Sequence, residues 1–142
     1  MQSADSRPRT RVVLVVEDNV DAQVITTSTL RHFGYDVMKA ESVEEARGLA
    51  RTRRPDVVVL DCRLPDGDGL ELARSWRSDP GMKNVPIIVL TAFSARQDVE
   101  AALLAGADAF LVKPVPGALL AAQIDKVLAG ARPSQTMRAQ RR

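Results

Sequence analysis

Short apolar runs alternate along the chain with longer stretches in which apolar residues recur every three or four positions. Residues 11–18, RVVLVVED, form a β-branched run closed by two acids, the pattern of a strand buried on both faces. In the following NVDAQVITTSTLRHFGY the apolar residues fall at 20, 24, 25, 30 and 33, a helical spacing that stops at Gly34 as a C-terminal cap should. DVMKA (36–40) predicts a second, weaker strand. Ser42 with Glu45 three residues later makes a capping-box signature for a helix over SVEEARGLARTRR, and Pro55 helps to end it.

The alternation continues through DVVVLD (56–61) and GLELARSWRS (69–78), a third strand and helix. VPIIVLTA (85–92) precedes SARQDVEAALLAGA, where Ser94 is a candidate N-cap. DAFLVKP (108–114) precedes PGALLAAQIDKVLAG, with Pro116 tolerated in the first helical turn. Five strand–helix units predict an α/β fold with a parallel sheet covered by helices on both faces. Right-handed crossovers leave few topologies, and a doubly wound five-stranded sheet in the flavodoxin-like order 2-1-3-4-5 suits this length. Residues 11–130 make one domain. Residues 1–10 read as a flexible segment, and ARPSQTMRAQRR, without periodicity, as a disordered basic tail.

Composition narrows the function classes. With 45% apolar and 27% charged residues the chain is that of an ordinary globular protein. No apolar run approaches the roughly 20 residues of a membrane span, and MQSADSRPRTR lacks a secretory h-region. A single cysteine, Cys62, excludes an internal disulfide framework and fits a reducing compartment, so the cytoplasm is expected. The net charge of +2 points to nucleic acid only until it is located. Seven of the 20 basic residues lie in 1–11 and 131–142, with one of the 18 acids, so 12–130 carries 13 basic and 17 acidic residues, about −4. The folded core is therefore not expected to bind nucleic acid.

In open α/β sheets, ligands bind beyond the carboxyl ends of the strands, near the switch in strand order. The predicted strands deliver Glu17 and Asp18, then Asp61, Thr91 and Lys113 to that edge. In the order 2-1-3-4-5 the first and third strands are neighbours, so three carboxylates converge. Left alone they repel, and an all-oxygen cluster suits Mg²⁺ better than a nitrogen- or sulfur-preferring metal. A lysine and a threonine hydroxyl add donors for an anionic oxygen. A carboxylate beside Mg²⁺, Lys and Thr is equipped to accept a phosphoryl group as an aspartyl phosphate. Singly, each residue is more often a turn acid, a packed threonine or a solvated lysine; their coincidence at one edge favours the chemical reading.

These residues resemble the receiver domain of two-component response regulators, and look most like its single-domain members, over residues 11–130. The motifs are the acidic pair after VVLVV, D-x-x-LP-x-x-DG at 61–69, IIVLTA at 87–92 and LVKP at 111–114. The resemblance implies Asp61 as phosphoacceptor, with Glu17, Asp18, Asp61 and the backbone carbonyl of Arg63 holding Mg²⁺. It implies Thr91 and Lys113 as ligands of the phosphoryl oxygens, Thr91 and Phe110 as the switch, and a cis peptide before Pro114. It also implies a histidine kinase or histidine phosphotransfer protein as donor, a downstream target protein, no membrane association, and a monomer or weak dimer. Arg63 and Phe93 occupy positions where the family varies and where side chains tune loss of the phosphate.

Three rival readings remain in view. A haloacid-dehalogenase-like phosphatase also uses an Asp nucleophile with Thr, Lys and Mg²⁺, but resembles D-x-D there, where this chain has Arg63. A nucleotide-binding module would need more than GDGLEL (67–72), and no G-x-x-x-x-G-K-[ST] occurs. A receiver fold retained only as an interaction module would not need the full set of five residues. Cys62 has no nearby histidine in sequence, and the single His32 reads as a surface residue. No DNA-binding output module is expected after residue 130.

Overall fold

The structure, a computed structural model, describes residues 9–92 and 96–130, the side chain of Arg96 excepted. Its five main strands are β1 (Val12–Val16), β2 (Asp36–Ala40), β3 (Val57–Asp61), β4 (Ile87–Thr91) and β5 (Ala109–Val112). They pair in parallel in the order β2-β1-β3-β4-β5, as the alternating pattern predicts. The helices are α1 (Val20–His32), α2 (Val43–Thr52), α3 (Gly69–Arg77), α4 (Arg96–Leu104) and α5 (Gly117–Gly130). A two-residue antiparallel ribbon, Arg63–Leu64 with Gly67–Asp68, occupies the turn between β3 and α3. The strands over 85–92 and 108–114 and the helix over 94–107 are each shorter than the apolar pattern implies; Ser94 lies outside the described residues.

Alternate residues of each strand feed two cores, because successive side chains leave opposite faces of a sheet. Leu14, Val16, Val58, Leu60, Ile87 and Val89 pack on one side with Ala46 of α2, Leu72 and Trp76 of α3, and Ala102 of α4. Val13, Val15, Val57, Val59 and Ile88 pack on the other with Leu30 of α1 and Leu120 and Ile124 of α5. The three inner strands are therefore apolar at nearly every position. The edge strand β2 is only partly buried, which explains its weaker pattern.

Helix α1 departs from its sequence pattern. Of the apolar positions 20, 24, 25, 30 and 33, only Leu30 is buried; Val20, Val24, Ile25 and Phe33 are exposed, Ile25 by 66%. The face turned to the sheet is Gln23, Thr27 and Leu30, spaced i, i+4, i+7. Gln23 is accepted there because its side-chain amide is bonded: Nε2 donates to the carbonyls of Glu17 (3.0 Å) and Ala40 (2.9 Å). At 3.6 residues per turn Ile25 falls roughly 200° round the helix from Gln23, and so faces out.

The helix caps follow the sequence more closely. Gly34 takes a φ of 94° after α1, and the N–H of Glu45 is bonded to Ser42 Oγ at the start of α2. At the far end of the sheet, Arg77 is nearly buried and gathers two loops, those between α3 and β4 and between α4 and β5. Its guanidinium donates to the carbonyls of Gly106, Lys83 and Val85 and to Asp108 Oδ2. That anchor ties the end of α3 to the segments entering β4 and β5.

Candidate functional site

The carboxyl ends of β1, β3, β4 and β5 meet at one rim, and the polar residues of the sequence pattern meet with them. Asp61 is the last residue of β3, directly after four fully buried residues. Glu17 follows β1 and is buried, whereas Asp18 is exposed. Carboxylate oxygens of Glu17, Asp18 and Asp61 all lie within 4.8 Å of one another. Lys113 reaches into this group from beyond β5. Its Nζ donates to Glu17 Oε1 at 2.7 Å and to Asp61 Oδ2 at 3.0 Å.

Burial by itself would lower the Lys113 pKa, but the bonds and charges of Glu17 and Asp61 outweigh it and hold the ammonium above its ordinary value. Three carboxylates against one ammonium leave the cluster net negative. An oxygen-only donor set, one member open to water, fits a hard divalent cation such as Mg²⁺.

Thr91, the last residue of β4, is buried at 2% exposure, and its carbonyl accepts from the backbone N–H of Lys113 at 2.7 Å. Burial pushes the Cys62 thiol up in pKa against the lowering effect of the neighbouring Thr91 hydroxyl. Cys62 is thus a neutral packing residue beside the acceptor position, in keeping with the absence of a histidine near it in sequence. A cleft of about 400 Å³ opens next to Thr91, with Arg63, Asp68 and Asp98 among its walls. Arg63 is exposed, and its backbone N–H is directed at Asp61 Oδ1 at 3.3 Å. The Lys113–Pro114 peptide is cis.

Phe110 is not part of the acid cluster. It sits on β5 opposite Val89, half-buried against the α2–α4 side of the core. Phe93, the other residue noted for tuning the site, lies outside the described residues. His32 is exposed at the end of α1, edge-on to Phe33.

Three contributors are not evident from the strand-end pattern. Asp66, in the turn between β3 and α3, reaches across to another element: its carboxylate accepts from the N–H groups of Val43 (2.7 Å) and Glu44 (3.0 Å) at the start of α2. Those two bonds hold its pKa below the usual carboxylate value. Asp68 caps α3 by accepting from the N–H of Leu70. Gly69 packs against the backbone of Asp61 so closely that an added Cβ would lie 2.1 Å from the Asp61 carbonyl oxygen. The only sequence signal for Gly69 was its place in the D-x-x-LP-x-x-DG motif.

Residues 13–125 match the family described as response regulator receiver domain. The chain belongs to that family. The receiver domain shares 32% identity over 106 residues with the polar-differentiation response regulator DivK of Brucella ovis, spanning 75% of this chain and 86% of that protein. It is 43% identical over 102 residues to the KDP operon transcriptional regulatory protein KdpE of Escherichia coli K12, spanning 72% of this chain but 44% of KdpE. Among solved structures it is similar to the receiver domain of the sensor histidine kinase PA1611 from Pseudomonas aeruginosa PAO1. That similarity has a TM-score of 0.79 and 34% identity, over 85% of this chain and 99% of the other; the PA1611 domain was solved with a magnesium ion coordinated in its active-site cleft. Receiver domains are signalling modules of two-component systems, so the haloacid-dehalogenase-like and nucleotide-binding readings give way.

Proposed function

We propose that this receiver domain accepts a phosphoryl group on Asp61 from a phosphohistidine of a histidine kinase or histidine phosphotransfer protein. The observation that carries the reading is the convergence of Glu17, Asp18, Asp61 and Lys113 at the end of the sheet. A carboxylate oxygen of Asp61 forms the new bond to phosphorus as the bond from phosphorus to the donor nitrogen breaks. The imidazole leaves with the electron pair. Lys113, already 3.0 Å from Asp61, and the Thr91 hydroxyl neutralise charge on the phosphoryl oxygens.

Glu17, Asp18, Asp61 and the carbonyl of Arg63 are the residues that would hold Mg²⁺, a role in keeping with the magnesium of the PA1611 domain. When bound, the ion offsets the repulsion between the carboxylates and the incoming phosphoryl group. Phosphorylation draws the Thr91 hydroxyl toward the phosphoryl oxygens, and Phe110 repacks with it, biasing a surface that a downstream protein reads. This is a population shift driven by a local charge change. The domain acts in the cytoplasm and catalyses only its own phosphorylation and dephosphorylation.

Acetyl phosphate with and without Mg²⁺, followed by intact mass, tests the proposal. Wild type is expected to gain one phosphoryl group only with Mg²⁺, and Asp61→Asn none. Equal labelling of the two proteins sinks the assignment.

A further inference from the structure

A buried amide on the inward face of α1 is placed to control the acidic pair without touching it. Gln23 is 5% exposed, and its Nε2 bridges the carbonyl of Glu17 at 3.0 Å and that of Ala40 at 2.9 Å. Ala40 O is also the acceptor for the N–H of Glu17 at 2.9 Å. The amide therefore clamps the last backbone contact between β1 and β2, at the residue where β1 hands over to the acids. Asn19, next along, caps α1 through Oδ1, and its N–H is bonded to Glu17 Oε2 at 3.1 Å. Glu17 is thus fixed at its carbonyl, its N–H and its carboxylate, whereas Asp18 is exposed and, among the described residues, is placed only through its backbone neighbours.

The orientation of α1 underlines the point. Turning Gln23 inward leaves Val24 and Ile25 facing solvent, giving up burial that such side chains ordinarily favour. Isolated amides are rarely buried unless bonded, and here both donors of the side chain are engaged at the one place where the strands end.

We infer that Gln23 is a positioning residue for the metal-binding acids, setting the backbone of Glu17 and Asp18 so that their carboxylates meet Asp61. The inference rests on the proposed role of Glu17 and Asp18 in holding Mg²⁺. Removing the donors frees the 17–19 segment without altering any carboxylate, so cation affinity falls while the acceptor and Lys113 stay intact.

Two variants test it: Gln23→Met, which keeps length and packing but has no donor, and Gln23→Glu, which keeps shape but presents acceptors to the two carbonyls. Direct calorimetric titration with Mg²⁺ reads the affinity, and thermal melting confirms that each variant is folded. The dissociation constant is expected to rise about tenfold in a folded variant, the size typical of losing an outer partner of a metal ligand. Acetyl phosphate labelling should need correspondingly more Mg²⁺ for half its rate, yet reach within about twofold of the wild-type rate at saturating Mg²⁺. A folded variant with wild-type Mg²⁺ affinity overturns the inference and leaves the proposed function standing. Wild type that fails to bind Mg²⁺ overturns the metal reading itself, and this inference with it.

Discussion

At the scale of single residues, the most constrained position beside the candidate acceptor is a glycine. A Cβ on Gly69 would lie 2.1 Å from the Asp61 carbonyl oxygen and 3.2 Å from Cys62 Cα, both backbone atoms that cannot swing aside. Gly69→Ala must therefore move the β3–α3 turn or the acceptor itself. A shift of this kind at a reacting group is expected to slow acetyl phosphate labelling by about ten- to a hundredfold, measured as the initial rate by intact mass. Gly67→Ala is the control: its Cβ would meet only the Val43 side chain, at 3.3 Å, and that chain can yield. Labelling of Gly67→Ala should stay close to wild type, and equal losses in both would show that the turn as a whole, rather than the approach to Asp61, sets the rate. The sequence marks Gly69 only by its place in the D-x-x-LP-x-x-DG motif; the contact that makes it indispensable joins residues eight apart and exists only after folding.

At the scale of elements, strands and helices differ in how much they reveal. Apolar runs such as VVLVV and VVVL are legible because β1 and β3 are covered on both faces, leaving little ambiguity about which residues are inside. A helix chooses one face among several. In α1 the choice went against the apolar residues, since Gln23 satisfies two strand-end carbonyls and Leu30 reaches the core beside α5. The consequence is measurable by urea denaturation. Ile25→Lys should change stability by no more than about 0.5 kcal/mol, as for an ordinary surface site, whereas Leu30→Ala should cost about 2–4 kcal/mol as a buried truncation. A large loss for Ile25→Lys would place that residue in the core and contradict the observed rotation of the helix.

At the scale of the whole molecule, charge ties the chain's early residues to the sheet. Asp56, at the entry to β3, accepts from the N–H of Val12 at 2.7 Å and from the two terminal nitrogens of the Arg9 guanidinium, Nη2 at 2.7 Å and Nη1 at 3.1 Å. Burial alone would raise its pKa, but Arg9 and the Val12 N–H together hold it below its ordinary 3.8. A folded-state pKa that is depressed adds stability above the unfolded value and loses it as pH falls through the lower folded value. The gap in unfolding free energy between wild type and Asp56→Asn is therefore expected to be about 1–2 kcal/mol near neutral pH and to close below 3.8. Urea titrations across that range check the sign; a gap that widened in acid would contradict it.

By itself the sequence determined the order of strands and helices, the placement of Glu17, Asp18, Asp61, Thr91 and Lys113 at strand ends, and the family those residues belong to. These features are local or near-local: period, strand length, and motif spacing all survive without knowledge of what packs where. Tertiary structure alone decided which face of α1 looks inward, that Lys113 bonds both Glu17 and Asp61, that Asp66 caps α2, and that Gly69 rests on the acceptor's backbone. Each of these joins residues from different elements, through distances of a few ångströms set by the closure of the parallel sheet. Side-chain chemistry is written along the chain, but the partner that each group meets is fixed only when the strands are brought side by side.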